Sequence, residues 1–113
     1  MVGNQHGGPV ETSLINKVTS TIVDHFNPRR IILFGSHARG EAGPDSDLDL
    51  FIEMETDQPP PERAIAVSAL FGLRKWPLDV VVYTPDEVRR LRDVKGTLLS
   101  TIESEGKVLH ARS

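Results

Sequence analysis

A chain of 113 residues with net charge −3 and no cysteine is long enough for one domain with a hydrophobic core, but short for a complete two-substrate enzyme. Without cysteine there is no disulfide framework, no thiolate zinc site and no cysteine nucleophile, which fits a reducing, cytoplasmic setting. The slightly acidic balance disfavours a broad electrostatic grip on nucleic acid, and no apolar run suits a bilayer span or a signal peptide.

Residues 1–10, with Gly3, Gly7, Gly8 and Pro9, read as a flexible leader, and residues 11–113 as the domain. From about Glu11 to Phe26, the residues Leu14, Ile15, Val18, Ile22, Val23 and Phe26 recur at helical spacing, with Lys17 and Asp24 turned outward. Pro28 ends that helix. Arg30 to Phe34 is a short β-branched run, expected as a buried strand that stops at Gly35. Ser36 to Arg39 can start a brief helical turn, and Gly40 to Ser46 is a polar loop. Leu48 to Glu53 reads as a second strand. A helix over about Pro61 to Arg74, with Pro61 at its first position, is expected to bury Ile65, Ala69, Leu70 and Leu73. Leu78 to Tyr83 is a third strand. Pro85 opens a short helix with a basic side of Arg89, Arg90 and Arg92. A last helix, about Thr97 to Glu105, is expected to be capped by Gly106, with Val108-Leu109 as a small edge piece. The pattern predicts an α+β (α/β) fold, a small mixed sheet flanked by helices.

Chemistry concentrates where the first strand ends. Gly35-Ser36 offers bare backbone N–H groups to a phosphate, and ten residues later Asp47-Leu48-Asp49 begins the second strand. Residues i and i+2 of a strand project from one face roughly 6–7 Å apart. Asp47 and Asp49 would therefore point one way while Leu48, Leu50 and Ile52 enter a core. Two such carboxylates repel and raise each other's pKa, and a divalent cation removes that penalty. Magnesium prefers a few carboxylates plus substrate phosphate oxygens, which suits the pair.

The third strand carries a further acid, with Leu78, Val80 and Val82 on one face and Asp79 on the other. If the second and third strands are neighbours, Asp79 joins Asp47 and Asp49, and three carboxylates can hold two metal ions about 3.5–4 Å apart. Taken singly, each feature has a bland reading. An isolated D-x-D is often a pair of solvated acids, a Gly-Ser after a strand is usually a turn, and Asp79 could pair with an arginine. Other motifs are absent: Leu50 and Thr56 break an EF-hand pattern, and there is neither a Walker lysine pattern nor a G-x-G-x-x-G. His37 lies in the phosphate turn and reads as solvated. Trp76 reads as packing. The basic face of Arg89, Arg90, Arg92 and Lys95 is either solvated or a docking surface for an acidic partner or the nucleotide tail.

In combination, Gly35, Ser36, Asp47, Asp49 and Asp79 resemble the motif of the nucleotidyltransferase superfamily that includes DNA polymerase beta: Gly-Ser, ten residues, Asp-x-Asp, and a later strand acid. The resemblance spans about residues 14 to 109, and the small size is similar to the minimal nucleotidyltransferase (MNT) branch. It implies a polymerase-beta-like core, ATP as substrate and two Mg2+ ions held by Asp47, Asp49 and Asp79. It also implies that Asp79 helps deprotonate the acceptor hydroxyl, while Gly35 and Ser36 hold the triphosphate. Arg39 could neutralise phosphate charge, with a surface ion pair to Glu41 or Asp45 as the alternative. In the MNT branch the usual partner is a HEPN-domain toxin, and the implied reaction moves AMP from ATP to a tyrosine of that RNase, making the chain an antitoxin. Two rival functions remain from the sequence: a non-catalytic antitoxin that covers its partner's site, and transfer to a small molecule such as an aminoglycoside, whose pocket a homo-oligomer could complete.

Overall fold

The computed structural model describes residues 7–43, 46–74 and 76–112. Helix α1 spans Gly7–Phe26, so the helix begins before Glu11 and takes in the last residues of the expected leader; residues 1–6 lie outside the described residues. Pro9 falls in the first turn, where a missing N–H breaks no helical bond. Asn27, at a φ of 47°, ends the helix in the left-handed region, and buried Pro28 turns the chain into strand β1, Arg30–Phe34.

A short helix α2, Gly35–Arg39, follows β1 directly. Strand β2 spans Leu48–Glu53 and strand β3 spans Leu78–Tyr83, both where alternation of residue types predicts them. Between them lies helix α3, Pro60–Ser68, which relaxes into a 3₁₀ turn at Ala69–Phe71. Helices α4, Pro85–Leu91, and α5, Leu98–Glu105, precede strand β4, Lys107–Ala111.

The four strands lie in the order β3-β2-β1-β4. β1 runs antiparallel to β2 and β4, with a register shift against β4 between Ile31 and Ile32, and β2 runs parallel to β3. The sheet is therefore mixed, as expected, and helices cover both of its faces. On one face Ile31, Leu33, Leu50, Ile52 and Val82 pack with Val18 and Ile22 of α1 and Val67 of α3. On the other, Ile32 and Phe51 pack with Val88 of α4 and Leu99 and Ile102 of α5. Phe51 is fully buried and meets Tyr83 edge-on at 5.5 Å. Burial of a side chain of that size contributes about 1.5–3 kcal/mol.

Two local expectations are corrected. First, α3 starts at Pro60 and ends at Ser68, and its inward face carries Val67 and Arg63, while Ile65 and Leu73 are exposed. The 3₁₀ turn advances each residue by more than an α-helical step, and the chain leaves it through Gly72 at a φ of 51°, so Leu73 no longer follows the helical face. Second, Ala69 is exposed and Leu70 is half-buried, so the apolar stripe expected there is only partly used. Gly106 caps α5 as expected, its N–H donating to the Ile102 carbonyl at 2.8 Å, and does so in an extended conformation with φ −79°. Its role is also steric: a Cβ would run into Ile32 Cγ2, and would stand 2.6 Å from the Ile102 carbonyl and 3.0 Å from that of Leu33.

Candidate active site

The parallel register sets Asp49 directly beside Asp79 and Leu48 beside Leu78. Paired residues of adjacent strands project from the same face, so both acids stand on the α4/α5 side of the sheet. They lie at the end beyond the cover of those helices. The same register places Phe34, the last residue of β1, opposite Asp49. The chain leaves Phe34 into Gly35, so the Gly-Ser corner and the acid pair meet at one corner of the sheet.

Gly35 takes a φ of +74°, a left-handed conformation that disfavours any side chain. It also has no room for one. A Cβ there would fall on Asp49 Oδ2 and stand 3.0 Å from Asp49 Cγ. The missing side chain thus lets the Asp49 carboxylate lie against the backbone of the turn. Ser36 follows at the start of α2, whose N-terminal end has no side-chain cap. The first N–H groups of a helix have no partner within it, so they remain donors for an incoming anion. Gly40, also left-handed with φ 75°, closes α2 at its other end.

Electrostatics couples the acids. Asp49 is half-buried, and its pKa is pushed up from the ordinary value, first by burial, then by the charges of Asp79 and Asp47. His37 and Arg39 pull it the other way. His37, read as solvated from the sequence, is half-buried and within electrostatic reach of Asp49. The signal for it is its position next to Ser36 in the first turn of α2. Asp47 sits just before β2 and is exposed, as is Asp79. No ion pair of Asp79 occurs among the described residues. The bland reading of that residue, a partnered arginine, is thus not the one formed.

Arg39 makes the other bond expected as an alternative: its Nε donates to Glu41 Oε1 at 2.9 Å, with both side chains largely in solvent. The arginines of α4 serve elsewhere. Arg89 pairs with Asp86, and Arg92 reaches Glu103 at 3.5 Å. They line a cleft of about 320 Å³ with Arg29 and Arg30 at the Glu53 end of the sheet, away from the acid pair. Trp76 packs edge-on to Phe71 at 5.8 Å.

Among the described residues, no three His, Cys, Asp or Glu side chains close into a cage for a metal ion. The donor set is nevertheless of the right kind for magnesium: hard carboxylate oxygens, with the Asp49 carboxyl held above its ordinary pKa by burial and then by the charges of Asp79 and Asp47. Magnesium is usually held by one or two carboxylates together with substrate phosphates rather than by a closed protein cage. The residues present fit such an ion.

Gly35, left-handed and against the first of two side-by-side strand acids, gives an arrangement suited to phosphate chemistry. The chain matches the family described as "Nucleotidyltransferase domain" over residues 15–111. It belongs to that family and is a nucleotidyltransferase. No curated protein sequence matches it. Its fold is similar to that of a nucleotidyltransferase from Sulfolobus solfataricus, at 19% identity and a TM-score of 0.62, covering 98% of this chain and 94% of that one. It is also similar to a chain of a toxin–antitoxin structure with AMP-PNP, at 22% identity and TM-score 0.60, over 87% of this chain and 73% of that one. A mutant of the toxin–antitoxin MntA–HpeT matches at 19% identity and TM-score 0.56, over 87% and 73% of the two chains.

Proposed function

We propose that this nucleotidyltransferase moves AMP from ATP to a hydroxyl of a partner protein, most specifically a tyrosine of a HEPN-type RNase toxin, and so acts as its antitoxin. The observation that carries the transfer chemistry is the register of Asp49 against Asp79 beside Gly35. The antitoxin role is supported by the sequence resemblance to the MNT branch and by the toxin–antitoxin origin of the structural neighbours. Among the described residues no helix is long and apolar enough to cross a membrane.

In this reading Gly35 and Ser36 hold the triphosphate through backbone N–H groups and the Ser36 hydroxyl. Asp47, Asp49 and Asp79 would hold magnesium, two ions by the family resemblance, which would offset phosphate charge and lower the pKa of the acceptor hydroxyl. Asp79, exposed and without an arginine partner among the described residues, accepts the acceptor's proton. The acceptor oxygen bonds to the α-phosphorus, the bond from that phosphorus to the bridging oxygen breaks, and pyrophosphate leaves with the electron pair. Arg39 contributes by exchanging Glu41 for a phosphate oxygen. Both partners of that ion pair are largely exposed, so the exchange is easy.

The test uses labelled ATP, magnesium and the protein encoded by the neighbouring reading frame. Wild type should label that protein, and an Asp47→Ala, Asp49→Ala double variant should not. Equal labelling by both would remove the catalytic assignment. A double variant that fails to label yet still neutralises its partner would leave inhibition by binding alone.

A further inference from the structure

We propose that the acceptor segment of the partner protein docks as an added strand on the open edge of β3, in the groove between that edge and α3, which brings its hydroxyl beside Asp79. This inference rests on the transfer reading above and specifies where the acceptor binds.

Among the described residues β3 is an edge strand, bonded to β2 on one side only. Leu48 N–H donates to the Pro77 carbonyl at 3.0 Å, and Met54 N–H to the Tyr83 carbonyl at 3.0 Å. Residues of a parallel strand alternate between those whose backbone groups face the partner and those whose groups face away. Pro77, Asp79, Val81 and Tyr83 therefore serve β2. Leu78, Val80 and Val82 turn their backbone groups to the open side.

At one of these positions the edge is already closed. The buried Arg63 guanidinium donates Nη1 to the Val82 carbonyl at 3.2 Å, and it is fastened there by Gln58 and Glu87. Among the described residues nothing performs the same service at Leu78 and Val80, the residues that flank Asp79. A sheet edge whose backbone groups are left open in this way is a template for pairing with another chain.

The groove beside this stretch suits a peptide. It has a volume of about 410 Å³ and is lined by Ile65, Ala69, Leu78, Asp79 and Val80 among others. Ile65 is 66% exposed and Leu73, at the adjoining end, is wholly exposed. An apolar small molecule would leave the edge N–H and C=O groups unpaired, whereas an extended polypeptide satisfies them and covers the apolar side chains. A strand added at the usual spacing puts its backbone about 4.8 Å from that of β3. The residue level with Asp79 then projects on the same face as Asp49 and Asp79. A hydroxyl at that position lies where the transfer chemistry requires it.

Two measurements with the protein encoded by the neighbouring reading frame as probe test the proposal. First, transfer kinetics are compared across Ile65→Asp, Leu73→Asp and Val108→Asp. Val108 is similarly exposed, at 60%, but lies on β4 at the opposite edge. The first two should raise KM for the probe by at least about tenfold, the scale of losing one interface anchor. Binding of magnesium–ATP should be unchanged, and Val108→Asp should behave as wild type. Second, amide hydrogen exchange at Leu78 and Val80 should slow when the probe is added. Labelling with normal KM in both groove variants and no slowed exchange would overturn the docking site but leave the reaction standing. Slowed exchange without any labelling by wild type would overturn the reaction and leave the docking site. Protection that rises with the chain's own concentration, in the absence of the probe, would assign the edge to a second copy and refute the proposal.

Discussion

Gly35 and Gly40 form a natural experiment, because the two have nearly the same backbone and opposite surroundings. Gly35 has φ +74° and Gly40 φ +75°, but a Cβ on Gly40 would meet nothing within 4 Å, whereas one on Gly35 would strike the Asp49 carboxylate. Gly40→Ala therefore carries only the penalty of a left-handed L-residue, about 1–2 kcal/mol. Gly35→Ala carries that penalty plus the displacement of Asp49. The Asp49 carboxylate is the end of a rotatable side chain and can swing away, at a cost of about 0.5–1.5 kcal/mol for a distorted rotamer. In a domain of this size each kcal/mol lowers the melting temperature by roughly 4–8 °C. The two variants should then melt within about 10 °C of each other, both below wild type. Their activities should differ far more. Gly40→Ala leaves the Asp49 carboxylate in place and should stay within about threefold of wild-type kcat, whereas Gly35→Ala moves that carboxylate and should lose at least about a hundredfold, near 2.7 kcal/mol of transition-state stabilisation. Thermal melts and transfer assays on both proteins decide the matter. Equal activity in the two variants would refute the contact between Gly35 and Asp49 as a functional constraint.

Arg63→Met should destabilise the fold by about 3 kcal/mol, the cost of breaking a largely buried pair, readable by urea denaturation. Hydrogen bonds from Arg63 hold the Glu87 carboxyl below its ordinary pKa, so its contribution is present above the unfolded carboxylate pKa and is lost as pH falls through the lower folded value. The acid limb of the stability curve should accordingly be shallower in Arg63→Met than in wild type; parallel limbs would contradict the pairing. Asp49→Asn removes a half-buried charge repelled by Asp79 and Asp47, so the metal-free protein should melt higher than wild type while transfer is lost. Magnesium with a non-hydrolysable ATP analogue should raise the wild-type melting temperature and leave that of Asp49→Asn nearly unchanged; an equal rise in both would argue against Asp49 as a ligand. Gly106→Ala should lower stability by about 1–3 kcal/mol through overpacking against Ile32, with no change in nucleotide affinity measured by calorimetry.

Much of the fold was legible in the chain because its signals are local. β1, β2 and β3 stand where short apolar runs, β-branched in β1 and β3, predict them. Gly35-Ser36 and Asp47-Leu48-Asp49 can be read from composition and spacing alone, since a tight turn needs glycine and a strand repeats every second residue. β4 was visible only as the fragment Val108-Leu109, because Lys107 and His110 carry no strand signal of their own and are recruited by pairing with β1. The inward face of α3 was misread because helical periodicity assigns apolar residues inward. Here an arginine outcompetes Ile65 for the interior, by meeting the Gln58 carbonyl five residues back and two partners distant in sequence, Val82 and Glu87. The same limit applies to Arg39, whose choice between phosphate and Glu41 is made by side-chain reach rather than by pattern.

By itself the order of amino acids determined which groups are available: three aspartates, a Gly-Ser break, and strands short enough to form one small sheet. Tertiary structure alone decided that β3 lies next to β2, parallel and in the register that brings Asp79 level with Asp49. A one-residue slip in that pairing would turn the acid to the opposite face. Residues thirty positions apart meet only through the packing of both sheet faces against helices, and no local periodicity encodes that choice.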